Sequence, residues 1–177
     1  MPRRKIHDDA LYAHYVTFSC YRRRNLLDHP SPRKIVIEAL SEQLIRLDGR
    51  CLGFVIMPNH VHVILWFPAV GKISELMKQW KRTSSYRLNK QLREIPAYAS
   101  LLGENDPVWQ PHFYDFTIGN ENLIQLKIDY MHNNPVVAGL VTKAEEWTDS
   151  SARYYLLGEQ SAVPMGYESE CSNTEER

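Results

Sequence analysis

The sequence of 177 residues has little cysteine, no long apolar run and no net charge. Its three cysteines, Cys20, Cys51 and Cys171, are odd in number and widely spaced. That argues against a disulfide framework or a cysteine-type zinc knuckle, and it suits a reducing cytoplasm. No stretch approaches the ~20 apolar residues of a membrane span, so no membrane partner is expected. The first residues, MPRRKIHDDALYAHY, are basic but lack the apolar core of a secretory signal, so none is expected. The balance of 21 Lys+Arg against 21 Asp+Glu at first sight excludes a polyanion partner. It does not, because the charge is divided along the chain. Residues 1–100 hold 17 basic and 8 acidic side chains, a net of +9, and residues 101–177 hold 4 and 13, a net of −9. Such asymmetry points to a polyanion; the plainer alternative is a bipolar surface with no partner.

What is present is ordinary globular composition, 44% hydrophobic and 24% charged, in a length that suits one domain with or without a tail. Residues 12–20 (YAHYVTFSC) alternate and read as a strand, left through the basic run Tyr21-Arg22-Arg23-Arg24. Pro30-Ser31-Pro32 marks a helix start with Ser31 as N-cap, and Ile35, Ile37, Leu40, Leu44 and Leu47 carry the helix over 32–48. Two apolar strands follow, 51–57 (CLGFVIM) and 60–67 (HVHVILWF), joined at Pro58-Asn59. Ile73, Leu76, Met77, Trp80, Ser84 and Leu88 predict a helix over 72–93. A loop over 95–108, a short strand within 109–117 and a helix over 121–134, ended by Pro135, complete the pattern. The expected domain is 1–157, with an acidic, disordered tail over 158–177. The order is that of an α+β, ferredoxin-like βαββαβ fold, an antiparallel sheet with helices on one face. The other face is open to a partner or partly covered by the extra C-terminal helix. Trp80, Trp66 and Phe54 read as core rather than as platforms for stacked bases.

Two local patterns carry chemistry. In a strand, His60 and His62 point the same way with Val61 opposed, so two imidazoles lie side by side. Such a pair binds a divalent metal if a third ligand arrives, and is otherwise two surface histidines or a satisfied polar pair. Tyr130 and Asn134, four apart on the last helix, share one face beside the apolar stripe of Ile124, Ile128 and Met131. They are a phenol and an amide oxygen overlooking the sheet, or a packing tyrosine and a helix-end asparagine. Taken together, two imidazoles and an amide oxygen can hold a metal that polarises a phosphodiester, while the tyrosine attacks it.

The segments Met57-Pro58-Asn59-His60-Val61-His62, Trp109-Gln110-Pro111-His112-Phe113-Tyr114-Asp115 and Tyr130-Met131-His132-Asn133-Asn134-Pro135 occur in this order. With them the chain resembles the REP-associated tyrosine transposases, relatives of the single-strand insertion-sequence transposases in the HUH endonuclease superfamily. The resemblance covers residues 12–155. It implies that His60 and His62 are metal ligands, that Asn134 stands where relatives place a glutamine ligand, and that Tyr130 is the nucleophile. It implies Mg²⁺ or Mn²⁺ as the metal and hairpin-bearing, palindromic single-stranded DNA as the substrate. A bacterial cytoplasmic, nucleoid-associated setting is also implied, with a monomer favoured and the dimer of the insertion-sequence relatives as the alternative. Arg22, Arg23, Arg24, Lys78, Lys81 and Arg82 are the expected phosphate contacts. The expected function is therefore a metal-dependent endonuclease and strand transferase working through a 5′-phosphotyrosine. The alternatives are a domesticated, non-catalytic single-strand binder on the same fold, and a hydrolase using water.

Overall fold

The alternating run near the start of the chain forms the strand β1 (Ala13–Ser19). The computed structural model describes residues 11–103 and 105–166. After β1 come α1 (Pro30–Arg46), β2 (Arg50–Ile56), β3 (His60–Trp66), α2 (Lys72–Arg93) and α3 (Pro96–Ala99). Then follow β4 (Tyr114–Ile118), α4 (Glu121–Val137) and α5 (Ala152–Leu157). The sheet order is β2-β3-β1-β4 with every pair antiparallel, which is the ferredoxin-like arrangement the pattern predicts.

Strand alternation gives the sheet two different faces. Val16, Phe18, Val61, Val63 and Leu65 pack beneath α1 and α2, against Leu40, Leu44, Leu76 and Trp80. Tyr15, Val55 and Ile64 face the other way and meet Ile128 and Met131 of α4. The C-terminal helix thus covers part of the second face. Gly53 permits the close approach: a Cβ there would lie 2.9 Å from Met131 Cε and 3.1 Å from Ile128 Cγ1. Ser151 Oγ pins the same junction. It accepts from Phe54 N at 2.9 Å and lies 2.8 Å from His132 Nε2 of α4. Trp80 and Phe54 are core, as expected, and Trp66 is half-buried. Cys20 and Cys51 are buried free thiols.

Several boundaries differ from the sequence reading. The N-cap of α1 is His29, whose ring accepts from Ser31 N, while the Ser31 hydroxyl accepts from Gln91 of α2. The 95–108 loop contains the short α3. Trp109 does not enter β4. It is buried, bridged to Cys20, and its indole N–H donates to Ser84 at 3.0 Å. Pro135 lies inside α4 rather than ending it. A proline so near the helix end sacrifices only one bond to the preceding turn, and Gly139, at φ 69°, turns the chain away. The expected tail does not begin at 158. Val163 is buried, Cys51 N donates to Pro164 O and Gly166 N donates to Cys51 O, so 158–166 closes the β2 edge. Residues 167–177, the rest of that tail, lie outside the described residues. Among the described residues no helix is long and apolar enough to cross a membrane.

Candidate active site

Because β3 alternates, His60 and His62 emerge together on the α4 face, opposite Ser19 and Thr17 of β1. Their ring centroids are 4.8 Å apart. Both rings are held neutral. Burial, aided by Arg23, lowers His60 to about 4. Burial lowers His62 to about 3, with His60, Lys127 and Arg23 adding to it. His60 Nδ1 donates to Asn59 Oδ1 at 2.7 Å, which leaves its Nε2 as a bare lone pair. His62 Nδ1 lies 2.7 Å from the Thr17 hydroxyl and 2.8 Å from that of Tyr15. An N–H at that nitrogen has two oxygens to receive it, and Nε2 is again the atom left for a ligand.

Two tyrosines flank His62, and burial separates their roles. The Tyr15 ring stacks on His62 at 5.7 Å, and desolvation pushes its phenol up to about 12. Tyr15 therefore stays a protonated hydrogen-bonding group. Tyr130, carried by α4, meets His62 edge-on at 5.9 Å and is 54% exposed, so its hydroxyl can reach a substrate. Tyr114 stands one strand further away, opposite Thr17. Asn134, one turn after Tyr130, donates its amide N–H to Tyr130 O at 2.9 Å. Its Oδ1 makes no hydrogen bond to a described residue and remains available to a cation.

The donor set fits a divalent metal in part. Neutral imidazole nitrogens and an amide oxygen suit such an ion. Among the described residues, however, no group of three or more His, Cys, Asp or Glu is placed to hold one. The residues that would hold an ion here are His60 and His62, and Asn134 is placed with them only through its contact to Tyr130 O.

The predicted phosphate contacts divide into three sets. Arg22 and Arg23 are exposed in a turn that packs on the β2–β3 connection, where Cys20 N donates to Asn59 O and Leu27 N to Pro58 O. Both hold left-handed backbone angles, φ 55° and 53°, a region that costs a non-glycine residue roughly 1–2 kcal/mol. Arg23 is near enough to shift both histidines. Arg24 is engaged within the chain, donating to Leu101 O, Pro107 O and the Asp106 carboxylate. Lys81 is likewise held by the carbonyls of Gln110 and Pro111, and burial lowers it to about 8. Lys78 and Arg82 are exposed on α2, on the opposite side of the sheet from the histidines.

Three residues of the site escape the sequence reading: Tyr15, Thr17 and Lys127. The Lys127 ammonium lies over the rings of Tyr15, Phe116 and Tyr130, at 4.7, 5.8 and 5.9 Å from their centroids. The available signals were the i, i+2 spacing of Tyr15 and Thr17 and the i−3 position of Lys127 relative to Tyr130.

Comparison with known proteins agrees with this architecture. The chain is 24% identical over 99 residues to a REP-associated tyrosine transposase of Escherichia coli K12, covering 56% of this chain and 52% of that one. It is 27% identical over 105 residues to a Haemophilus influenzae protein given the same name provisionally, covering 56% and 57%. The chain therefore spans just over half the length of the curated relatives it matches. The solved structure of a REP-associated tyrosine transposase bound to a REP hairpin superposes with a TM-score of 0.70 at 21% identity, over 94% of this chain and 92% of that one. At that identity the likeness establishes the fold. Residues 8–134, which include both histidines, Tyr130 and Asn134, match the family model described as Transposase IS200 like, and the chain belongs to that family.

Proposed function

We propose that this protein is a metal-dependent endonuclease and strand transferase that acts on hairpin-bearing single-stranded DNA through Tyr130. The observation that carries the reading is the exposed phenol of Tyr130 set 5.9 Å from His62, which is itself paired with His60. The structural neighbour's REP hairpin supports the choice of DNA. Tyrosine and histidines meet within one chain, so the reading needs no second copy.

In the proposed reaction the Tyr130 oxygen attacks phosphorus and loses its proton to solvent. The new bond joins tyrosine to the 5′-phosphate, the P–O3′ bond breaks, and O3′ takes up a proton. The phosphodiester is exchanged rather than hydrolysed, so religation to another 3′ hydroxyl needs no external energy source. A divalent ion, Mg²⁺ or Mn²⁺, supplies Lewis-acid polarisation of the phosphate. His60 and His62 remain neutral and available to it, and Tyr15 and Thr17 orient His62. Arg22 and Arg23 contact phosphates beside the site.

Hairpin DNA labelled at its 3′ end, incubated with the protein and Mn²⁺ and then denatured, should run as a covalent adduct. Tyr130→Phe should abolish the adduct, His62→Ala should abolish it while hairpin binding persists, and Tyr114→Phe should retain it. Cleavage that survives in Tyr130→Phe points to water as the nucleophile. Hairpin binding with no cleavage at any metal concentration points to a non-catalytic binder.

A further inference from the structure

We propose that Lys127 is a catalytic residue of this site, its ammonium binding a non-bridging oxygen of the scissile phosphate as Tyr130 attacks. The proposal rests on the phosphotyrosine reading and adds a residue to it.

Lys127 lies three positions before Tyr130 on α4, on the same side of the helix. It is half-buried, with its ammonium over the rings of Tyr15, Phe116 and Tyr130. Among the described residues it makes no ion pair and no hydrogen bond. Other partly buried cations of the chain differ: Arg33 pairs with Asp149, Arg24 with Asp106, and Lys81 with two carbonyls. Ring faces attract a cation but replace only part of its lost hydration, and they accept no charge-assisted hydrogen bond. A cation left in that state, beside an exposed nucleophile, is complementary to an anion that arrives with the substrate.

The placement also matches where charge develops. Attack by Tyr130 raises negative charge on the phosphoryl oxygens, and a preorganised donor there acts in the transition state rather than in binding. Lys127 shares α4 with the nucleophile, whereas the histidines sit on β3. Cationic groups thus reach the site from two different elements, Lys127 from α4 and Arg23 from the turn after β1, while the histidines between them in the chain stay neutral. His62 registers the field of Lys127 on one hand and of Arg23 on the other. Only four basic residues occur in positions 101–177, and among the described ones Lys127 is the one whose charge lies over the ring of Tyr130.

The test is single-turnover adduct formation on saturating hairpin DNA with Mn²⁺. Lys127→Met keeps a long side chain over the rings and should slow the reaction by about 100-fold or more, with hairpin affinity little changed. Lys127→Arg should restore most of the rate. With a methylphosphonate at the scissile position, which lacks the anionic oxygen, the parent and Lys127→Met should react alike. A Lys127→Met rate matching the parent overturns the proposal. So does a deficit that persists in full on the methylphosphonate, since that marks a structural role. No adduct with the parent protein, or an adduct retained in Tyr130→Phe, overturns the phosphotyrosine reading itself and this inference with it.

Discussion

At the scale of single residues, the position of His62 depends on two hydroxyls from a neighbouring strand. Thr17 and Tyr15 fix its Nδ1 at 2.7 and 2.8 Å, so the ring presents Nε2 in one orientation. Partners of this kind commonly tune a metal ligand by 10–100-fold in affinity or activity. Thr17→Val should therefore raise the Mn²⁺ concentration needed for half-maximal adduct formation by about 10-fold or more, with hairpin affinity preserved. Tyr15→Phe should act in the same direction, because burial keeps that phenol protonated and confines it to hydrogen bonding. A metal titration on each variant checks this, and an unchanged midpoint in both would remove the hydroxyls from any orienting role. The contrast with His60, His62, Tyr130 and Asn134 is physical. Those four were visible in the sequence because spacings of two in a strand and four in a helix fix which side chains share a face. Tyr15 and Thr17 reach His62 across 47 and 45 positions, and nothing local encodes that. The same holds for Arg24 and Lys81, basic residues whose internal carbonyl and carboxylate partners appear only when distant loops fold onto them.

At the scale of elements, the site depends on α4 being held against β2. Gly53 gives the helix room, and the His132–Ser151–Phe54 contacts tie it down two residues after Tyr130. Burial lowers His132 to about 4, against the ordinary 6.5. The unfolded chain thus binds this proton more readily than the native protein between those values. The contribution is fully present above about 6.5 and is lost as pH falls toward 4. Urea midpoints should be flat above about 6.5 and decline as pH falls from there toward 4, with His60 and His62 contributing in the same sense. His132→Asn keeps a polar group near Ser151 but does not titrate, so its midpoint should decline less steeply over the same interval. Equal slopes for parent and variant would show that His132 is not held neutral. Alternation in β1, apolar runs in β2 and β3, and helical spacing in α1, α2 and α4 placed those elements, while β4 was placed only within a longer segment. Such local patterns misplaced the features set by other elements. The cap of α1 moved to His29 once Ser31 was claimed by Gln91 of α2. Pro135 was read as a stop although its position near the helix end makes it tolerable. The 158–166 segment has few apolar groups, and its pairing with Cys51 together with the burial of Val163 makes it part of the fold.

At the scale of the whole molecule, the division of charge along the chain is not a division of the surface. The basic half supplies both the histidine strand and α2, yet these residues end on opposite faces of the sheet. The acidic half supplies α4, which brings Tyr130 and Lys127 to the histidines. Under the proposed function, a DNA strand at this site should therefore meet Arg22 and Arg23, beside the β2–β3 turn, before anything on α2. Their strained left-handed backbone is the kind of feature that persists where side-chain aim matters. Each phosphate contact to single-stranded or duplex DNA contributes about 0.7–0.9 to the slope of log affinity against log salt. Replacing both Arg22 and Arg23 by glutamine should flatten that slope for hairpin DNA by roughly 1.5. Replacing Lys78 and Arg82 together, an equal change in net charge, should leave the slope as it was. Fluorescence anisotropy over a salt series distinguishes the two. Equal flattening in both pairs would mean that the bound DNA extends around the molecule onto α2, or that net charge rather than position governs binding. A slope altered only by the α2 pair would place the DNA on the face away from Tyr130, and the proposed site could not then be where cleavage occurs.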